Sequence, residues 1–134
     1  MISLARKFGD VMIIDDNKID LYINSQAILR SSFAQKILEY SSAADALKYL
    51  RQHSNNLAQI PEVIFVDIYM PGMSGFEFME AYNELPEPIK KHIRVYIISS
   101  SIDKQDINRA KADANIVAFH EKPLSKSFLE TIVK

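Results

Sequence analysis

Four apolar runs along the chain each close on polar residues. Val11–Ile14 ends at Asp15 and Asp16, and Val63–Val66 ends at Asp67. Val95–Ile98 ends at Ser99, Ser100 and Ser101, and Ile116–Phe119 leads into His120, Glu121, Lys122 and Pro123. Runs this short, with β-branched residues and turn residues after them, predict strands buried on both faces of a parallel sheet. A weaker run, KILEY within Gln35–Tyr40, predicts a fifth strand at the sheet edge.

Helical patterns fill the gaps. Asp16–Asn17 can cap a helix running to about Ser31, with Ile19, Tyr22, Ile23 and Ala27 as its apolar face. Ser41 or Ser42 caps a second helix, where Ala43, Ala46, Leu47 and Leu50 fall at i, i+3, i+4 and i+7. A third runs from about Gly75 to Asn83, with Phe76 and Met79 on a shared face. Asp103 caps a fourth around Ile107 and Ala110. The last starts near Ser125 and turns Phe128, Leu129 and Ile132 inward, with Leu124 packing just before it. HSNNLAQIP reads as a surface loop, LPEPIKKH as a proline-broken connection, and residues 1–10 as a short lead-in.

Five strands alternating with five helices predict an α/β fold: a doubly wound five-stranded parallel sheet, covered on both faces, with right-handed crossovers. If the strands run parallel, their polar ends share one edge, where ligands bind in open sheets of this kind. That edge gathers Asp15, Asp16, Asp67, Ser99 and Lys122: three carboxylates, a hydroxyl and an ammonium. Alone, Asp67 reads as a turn or cap residue, Asp15–Asp16 as a helix cap and Lys122 as a solvated charge. It is their convergence that signals chemistry.

Composition narrows the classes. At 134 residues the chain fits one domain, with no internal repeat or linker to suggest another. A net charge of −1 and no basic run argue against nucleic acid or an anionic membrane as partner. With no cysteine, disulfides, thiolate metal sites and cysteine nucleophiles are excluded. The start lacks a long apolar segment, so no signal peptide is expected, and a cytoplasmic location follows. His53, His92 and His120 lack metal-ligand spacing and read as surface residues, while Met70 and Met73 read as loop packing.

The motifs IIDDN at 13–17, VDIYMPGMSG at 66–75, IISSS at 97–101 and EKP at 121–123, in this order and each after its own strand, resemble the receiver domain of bacterial response regulators. The resemblance spans Val11 to Lys134. It implies a flavodoxin-like sheet of order 2-1-3-4-5 and a receiver without an output domain. It further implies Asp67 as phosphoacceptor and a divalent cation, Mg²⁺ or Mn²⁺, held by Asp15, Asp16, Asp67 and the Tyr69 backbone carbonyl. Ser99 and Lys122 match the residues that read and balance the phosphoryl group. Phe119 matches a switch aromatic, and Pro123 follows a bond that is usually cis.

The implied partners are a histidine kinase or histidine phosphotransfer protein and an unidentified downstream protein, with the chain a monomer or a phosphorylation-dependent dimer. Such a protein acts only on its own phosphorylation and is not otherwise an enzyme. This chain departs from the common pattern in having Ser at 99, Phe at 119 and Tyr at 69, and the resemblance makes Tyr69 and Ser101 the residues that govern water access. The alternatives are a receiver-like binding module without phosphorylation, or an aspartyl-nucleophile phosphohydrolase. The second normally has another aspartate two residues after the nucleophile, where this chain has Tyr69.

Overall fold

Val11 pairs with Ile37 on one side and Val63 on the other, and this register runs through a five-stranded sheet of order β2-β1-β3-β4-β5. Every pairing is parallel. A computed structural model describes residues 6–134 of the chain; the start of the expected lead-in, residues 1–5, lies outside the described residues. The elements are β1 (Phe8–Ile14), α1 (Lys18–Arg30), β2 (Ala34–Tyr40), α2 (Ala43–Gln52), β3 (Val63–Asp67), α3 (Gly75–Tyr82), α4 (Glu87–His92), β4 (Arg94–Ser99), α5 (Lys104–Lys111), β5 (Ile116–Glu121) and α6 (Lys126–Thr131). The predicted sheet order stands, with β2 at an edge.

Strand alternation splits the core into two. Met12, Ile14, Ile64, Val66, Val95 and Ile97 face one layer, which α2, α3 and α5 cover with Leu47, Leu50, Phe78, Met79 and Ala110. Val11, Ile13, Val63, Phe65, Tyr96 and Ile98 face the other, under Ile28 of α1 and Leu129 of α6. Because both faces are covered, the central strands carry unbroken apolar runs, Val11–Ile14, Val63–Val66 and Val95–Ile98, with no polar–apolar alternation. Leu47 and Leu50 of α2 are fully buried, worth about 1.5–3 kcal/mol each.

Helix starts follow the side-chain chemistry. Asn17 caps α1 by accepting from Ile19 and Asp20 N–H, both at 3.0 Å. Ser74 and Glu77 form a reciprocal capping box at α3. Ser42, Asp103 and Ser125 cap α2, α5 and α6.

Four expectations need correction. β1 begins at Phe8, inside the predicted lead-in, because the Phe8 N–H donates to the Phe33 carbonyl at 2.8 Å and extends the pairing with β2, with the two rings packed at a tilt 4.9 Å apart. The proline-broken connection contains a sixth helix, α4. Pro86 is its N-cap and Pro88 lies in its first turn, where no donor is needed. The face of α1 is turned: of the predicted residues only Ala27 packs against the core, Ile19 and Tyr22 are 70% and 63% exposed, Ile23 is exposed too, and Asn24, Ser25 and Ile28 are buried. Asn24 is held inside by a hydrogen bond, and Ser25 Oγ donates to Glu39 at 2.6 Å, so polar residues satisfied by partners displace the apolar ones. Finally, the three histidines are half-buried rather than superficial. His53 Nδ1 lies 2.9 Å from the Tyr49 carbonyl, and His120 stacks on Phe128 with ring centres 3.7 Å apart. Burial lowers the pKa of His120.

Candidate functional site

β1 and β3 run side by side, so the residues at their C-terminal ends meet. Asp67 closes β3, and Asp15 follows β1, fixed by its own N–H on the Tyr40 carbonyl at 3.0 Å. Carboxylate oxygens of Asp15, Asp16 and Asp67 all lie within 4.8 Å of one another. Asp15 and Asp67 are buried, while Asp16 sits at the rim. Asp15 Oδ1 also accepts the Asn17 N–H at 2.9 Å, which links the acid pair to the cap of α1.

Lys122 arrives from β5. Its N–H donates to the Ser99 carbonyl at 2.7 Å, extending the β4–β5 ladder one step beyond Ser99↔Glu121. The Lys122–Pro123 peptide bond is cis. Past it, the Leu124 N–H donates to the buried Asn24 side chain at 2.8 Å, tying this loop to α1. The Lys122 ammonium lies 2.8 Å from Asp15 Oδ2, 2.8 Å from Asp20 Oδ2 and 3.6 Å from Asp67 Oδ1. Burial works against its charge, but the hydrogen bonds it donates to Asp15 and Asp20 prevail and its pKa is raised.

The electrostatics single out Asp67. Burial pushes its carboxyl up to about 6; Lys122 opposes that rise, and Asp15 and Asp16 add to it by like-charge repulsion. Ser99 is fully buried at the end of β4, where its Oγ accepts the Ser101 N–H at 3.3 Å. An accepting hydroxyl keeps its own proton to donate. Tyr69 lies two residues beyond Asp67, 56% exposed, and its phenol donates to the Asp106 carboxylate on α5. That bond is the first cause of a phenol pKa pushed up to about 12. Phe119 is half-buried against the larger core and lines a cavity of about 300 Å³ with Ile107, Ala110 and Ile116.

The donor set fits a hard divalent cation. Oxygens on opposite sides of Mg²⁺ are about 4.2 Å apart, twice the usual 2.1 Å bond. Three carboxylates spanning up to 4.8 Å can therefore share one ion, with one of them acting through water.

Asp20 and Asn24 escaped the sequence reading. Asp20 looks like the third residue of a capped helix, and Asn24 like a polar residue on a wet face. The one available signal was the four-residue spacing from Asp20 to Asn24, which stacks the two on one face of α1.

The comparisons agree with this geometry. The family model of the response regulator receiver domain matches residues 11–134. The chain belongs to this family, and so is a receiver domain of two-component signalling. It is 31% identical to the two-component response regulator ARR17 of Arabidopsis thaliana, with 91% of this chain matched to 80% of that protein. It is 28% identical to hybrid signal transduction histidine kinase L of Dictyostelium discoideum over 97% of its own length, but spans only 7% of that protein. Among solved structures, a two component response regulator from Cytophaga hutchinsonii superposes with a TM-score of 0.87 at 28% identity, over 94% of both chains. Receiver domains are typically signalling proteins. Among the described residues no helix is long and apolar enough to cross a membrane.

Proposed function

We propose that this chain accepts a phosphoryl group on Asp67 from a histidine kinase or histidine phosphotransfer protein, and signals by phosphorylation-dependent binding of a downstream protein. The observation that carries this reading is the meeting of Asp15, Asp16 and Asp67 in one pocket with the Lys122 ammonium. One ammonium does not balance three carboxylates where burial penalises charge, so the pocket calls for a cation. Asp15, Asp16, Asp67 and the Tyr69 backbone carbonyl are the residues to hold Mg²⁺ or Mn²⁺. When bound, such an ion supplies positive charge to the phosphoryl oxygens.

In the transfer, an Asp67 oxygen attacks phosphorus and forms an acyl phosphate. The phosphorus–nitrogen bond of the donor's phosphohistidine breaks, and the imidazole nitrogen keeps the electron pair. Lys122 offers charge to the phosphoryl oxygens, and Ser99 has a hydroxyl proton to give them. The exposed Ile19 and Tyr22 provide apolar surface on the helix that begins beside the acids, which suits docking of the donor. Output runs through Phe119 and the surface of α5, β5 and α6.

Intact mass after incubation with Mg²⁺ and acetyl phosphate tests the reading. One added phosphoryl group, absent in Asp67→Asn and absent without Mg²⁺, is expected. No gain with acetyl phosphate or with phosphorylated histidine donors would overturn it.

A further inference from the structure

Lys122 is closer to α1 than to the proposed acceptor. Its ammonium makes two 2.8 Å contacts, to Asp15 and Asp20, and stands 3.6 Å from Asp67. Asp15 is bound to the acid pocket by its place after β1. Asp20 is not: it projects from the first turn of α1, its side chain 34% exposed, and lies outside the three-carboxylate cluster. Its backbone N–H is capped by Asn17, so helix capping does not require its carboxylate to point at Lys122.

We infer that Asp20 is a positioning residue that draws the Lys122 ammonium toward α1 and thereby keeps the Asp67 carboxylate available to a cation and a phosphoryl donor. The inference rests on the phosphoacceptor reading for its consequence but not for its geometry. Asp20 and Asp67 compete for one ammonium. Lys122 is 7% exposed and has few places to go. With Asp20 it has two full-strength carboxylate partners while Asp67 stays at longer range. Without Asp20 the nearest uncompensated carboxylate is Asp67, so the ammonium closes on it. A cation must then displace Lys122 before it can bind.

The experiment is a double-mutant cycle on Mg²⁺ affinity, measured by isothermal titration on the full chain. Asp20→Asn weakens Mg²⁺ binding about fivefold in the wild-type background and less than twofold in a Lys122→Ala background. Asp20→Glu, which keeps the charge, restores most of the loss. Losing a negative charge near a cation site also weakens binding through the general field, but that effect persists without Lys122. Equal effects of Asp20→Asn in both backgrounds would therefore overturn the inference.

A second readout uses acetyl phosphate. Asp20→Asn raises the Mg²⁺ concentration for half-maximal phosphorylation and retains the plateau rate at saturating Mg²⁺. A fallen plateau with an unchanged midpoint would also overturn it. If the wild type takes no phosphoryl group, the functional reading fails while the Mg²⁺ cycle still reports on Asp20. If the wild type is phosphorylated and the cycle shows no coupling, the inference fails alone.

Discussion

The side-chain oxygen of Asn24 accepts the backbone N–H of Leu124 at 2.8 Å in the buried seam between α1 and the loop that carries Lys122. Asn24 is thus the partner that satisfies this buried donor. Asn24→Ala leaves the N–H unpaired and should destabilise the fold by about 1–3 kcal/mol. Urea unfolding checks this: the midpoint falls while the denaturant slope is unchanged. A loss below about 0.5 kcal/mol would mean that water replaces the amide.

Gly75 is closed to any side chain. A Cβ there would stand 2.3 Å from the Asp67 carbonyl oxygen and 3.0 Å from the Ile68 Cα, both backbone atoms that cannot step aside. The Gly75 N–H donates to the Ile68 carbonyl at 2.8 Å, so the start of α3 is pressed against the strand end that carries Asp67. Gly75→Ala should cost several kcal/mol, in the upper range of single substitutions, and displace the acceptor. Gly72 is a contrast. Its φ is +82° but a Cβ would meet open space, so Gly72→Ala costs only about 1 kcal/mol of backbone strain. Thermal unfolding of the two variants should separate them clearly.

The sheet was legible because Val63–Val66 and its counterparts are short, uninterrupted apolar runs with β-branched residues, each closing on polar or turn residues, as strands covered on both faces are. The acid pocket was legible for a related reason: strand ends in a parallel sheet converge, so Asp15, Asp67 and Ser99 are neighbours once the order is known. What failed was the orientation of α1. Burial there is decided by Asn24 bonding Leu124 and Ser25 bonding Glu39, partners 100 and 14 residues away in the chain. Apolar periodicity carries no information about such pairs, and it assigned the inner face to Ile19 and Tyr22. α4 was missed because prolines normally break helices, whereas here they occupy its start.

Asp67 makes stability depend on pH in an unusual direction. Its folded pKa, about 6, lies above the ordinary carboxylate value. Between about pH 4 and pH 6 the folded chain therefore holds a proton that the unfolded chain has released, and stability falls as pH rises through that window. The loss is of order 2–3 kcal/mol at 1.36 kcal/mol per pH unit. Asp67→Asn removes this penalty, and Lys122 still keeps Asp15 and Asp20 as partners. The variant should thus be more stable than the wild type by about 2 kcal/mol at pH 7.5 without divalent cations, and the gap should close at pH 4. Added Mg²⁺ stabilises the wild type selectively and narrows the difference. Denaturation at the two pH values, with and without Mg²⁺, checks each arm. A variant less stable than the wild type at pH 7.5 without Mg²⁺ would refute the argument.

Phe119 has room to move. It packs half-buried beside a cavity of about 300 Å³ and pairs in register with Ile97, two residues before Ser99. If Ser99 shifts toward a phosphoryl group, the space beside β4 changes and the ring can follow. Phe119→Trp fills part of the cavity and resists that movement. The expected outcome is unchanged phosphorylation by acetyl phosphate with partner coupling weakened about tenfold. Unchanged coupling would remove Phe119 from the output path.

Tyr69 spans from the acceptor loop to α5, its phenol bonded to Asp106. If a large ring anchored at both ends restricts the approach of water to Asp67, Tyr69→Ala shortens the lifetime of the acyl phosphate. Tyr69→Phe separates the two contributions: the ring remains and only the tether to Asp106 is lost. If bulk alone matters, the Phe variant keeps the wild-type lifetime. If the tether holds the ring in place, the Phe variant falls between wild type and Ala, and Asp106→Asn follows it. The rate of mass loss after removal of acetyl phosphate measures all four proteins. An Ala variant with an equal or longer lifetime would show that Tyr69 does not shield the acceptor, and the Asp106 contact would then be read as structural support for the N-terminal turn of α5.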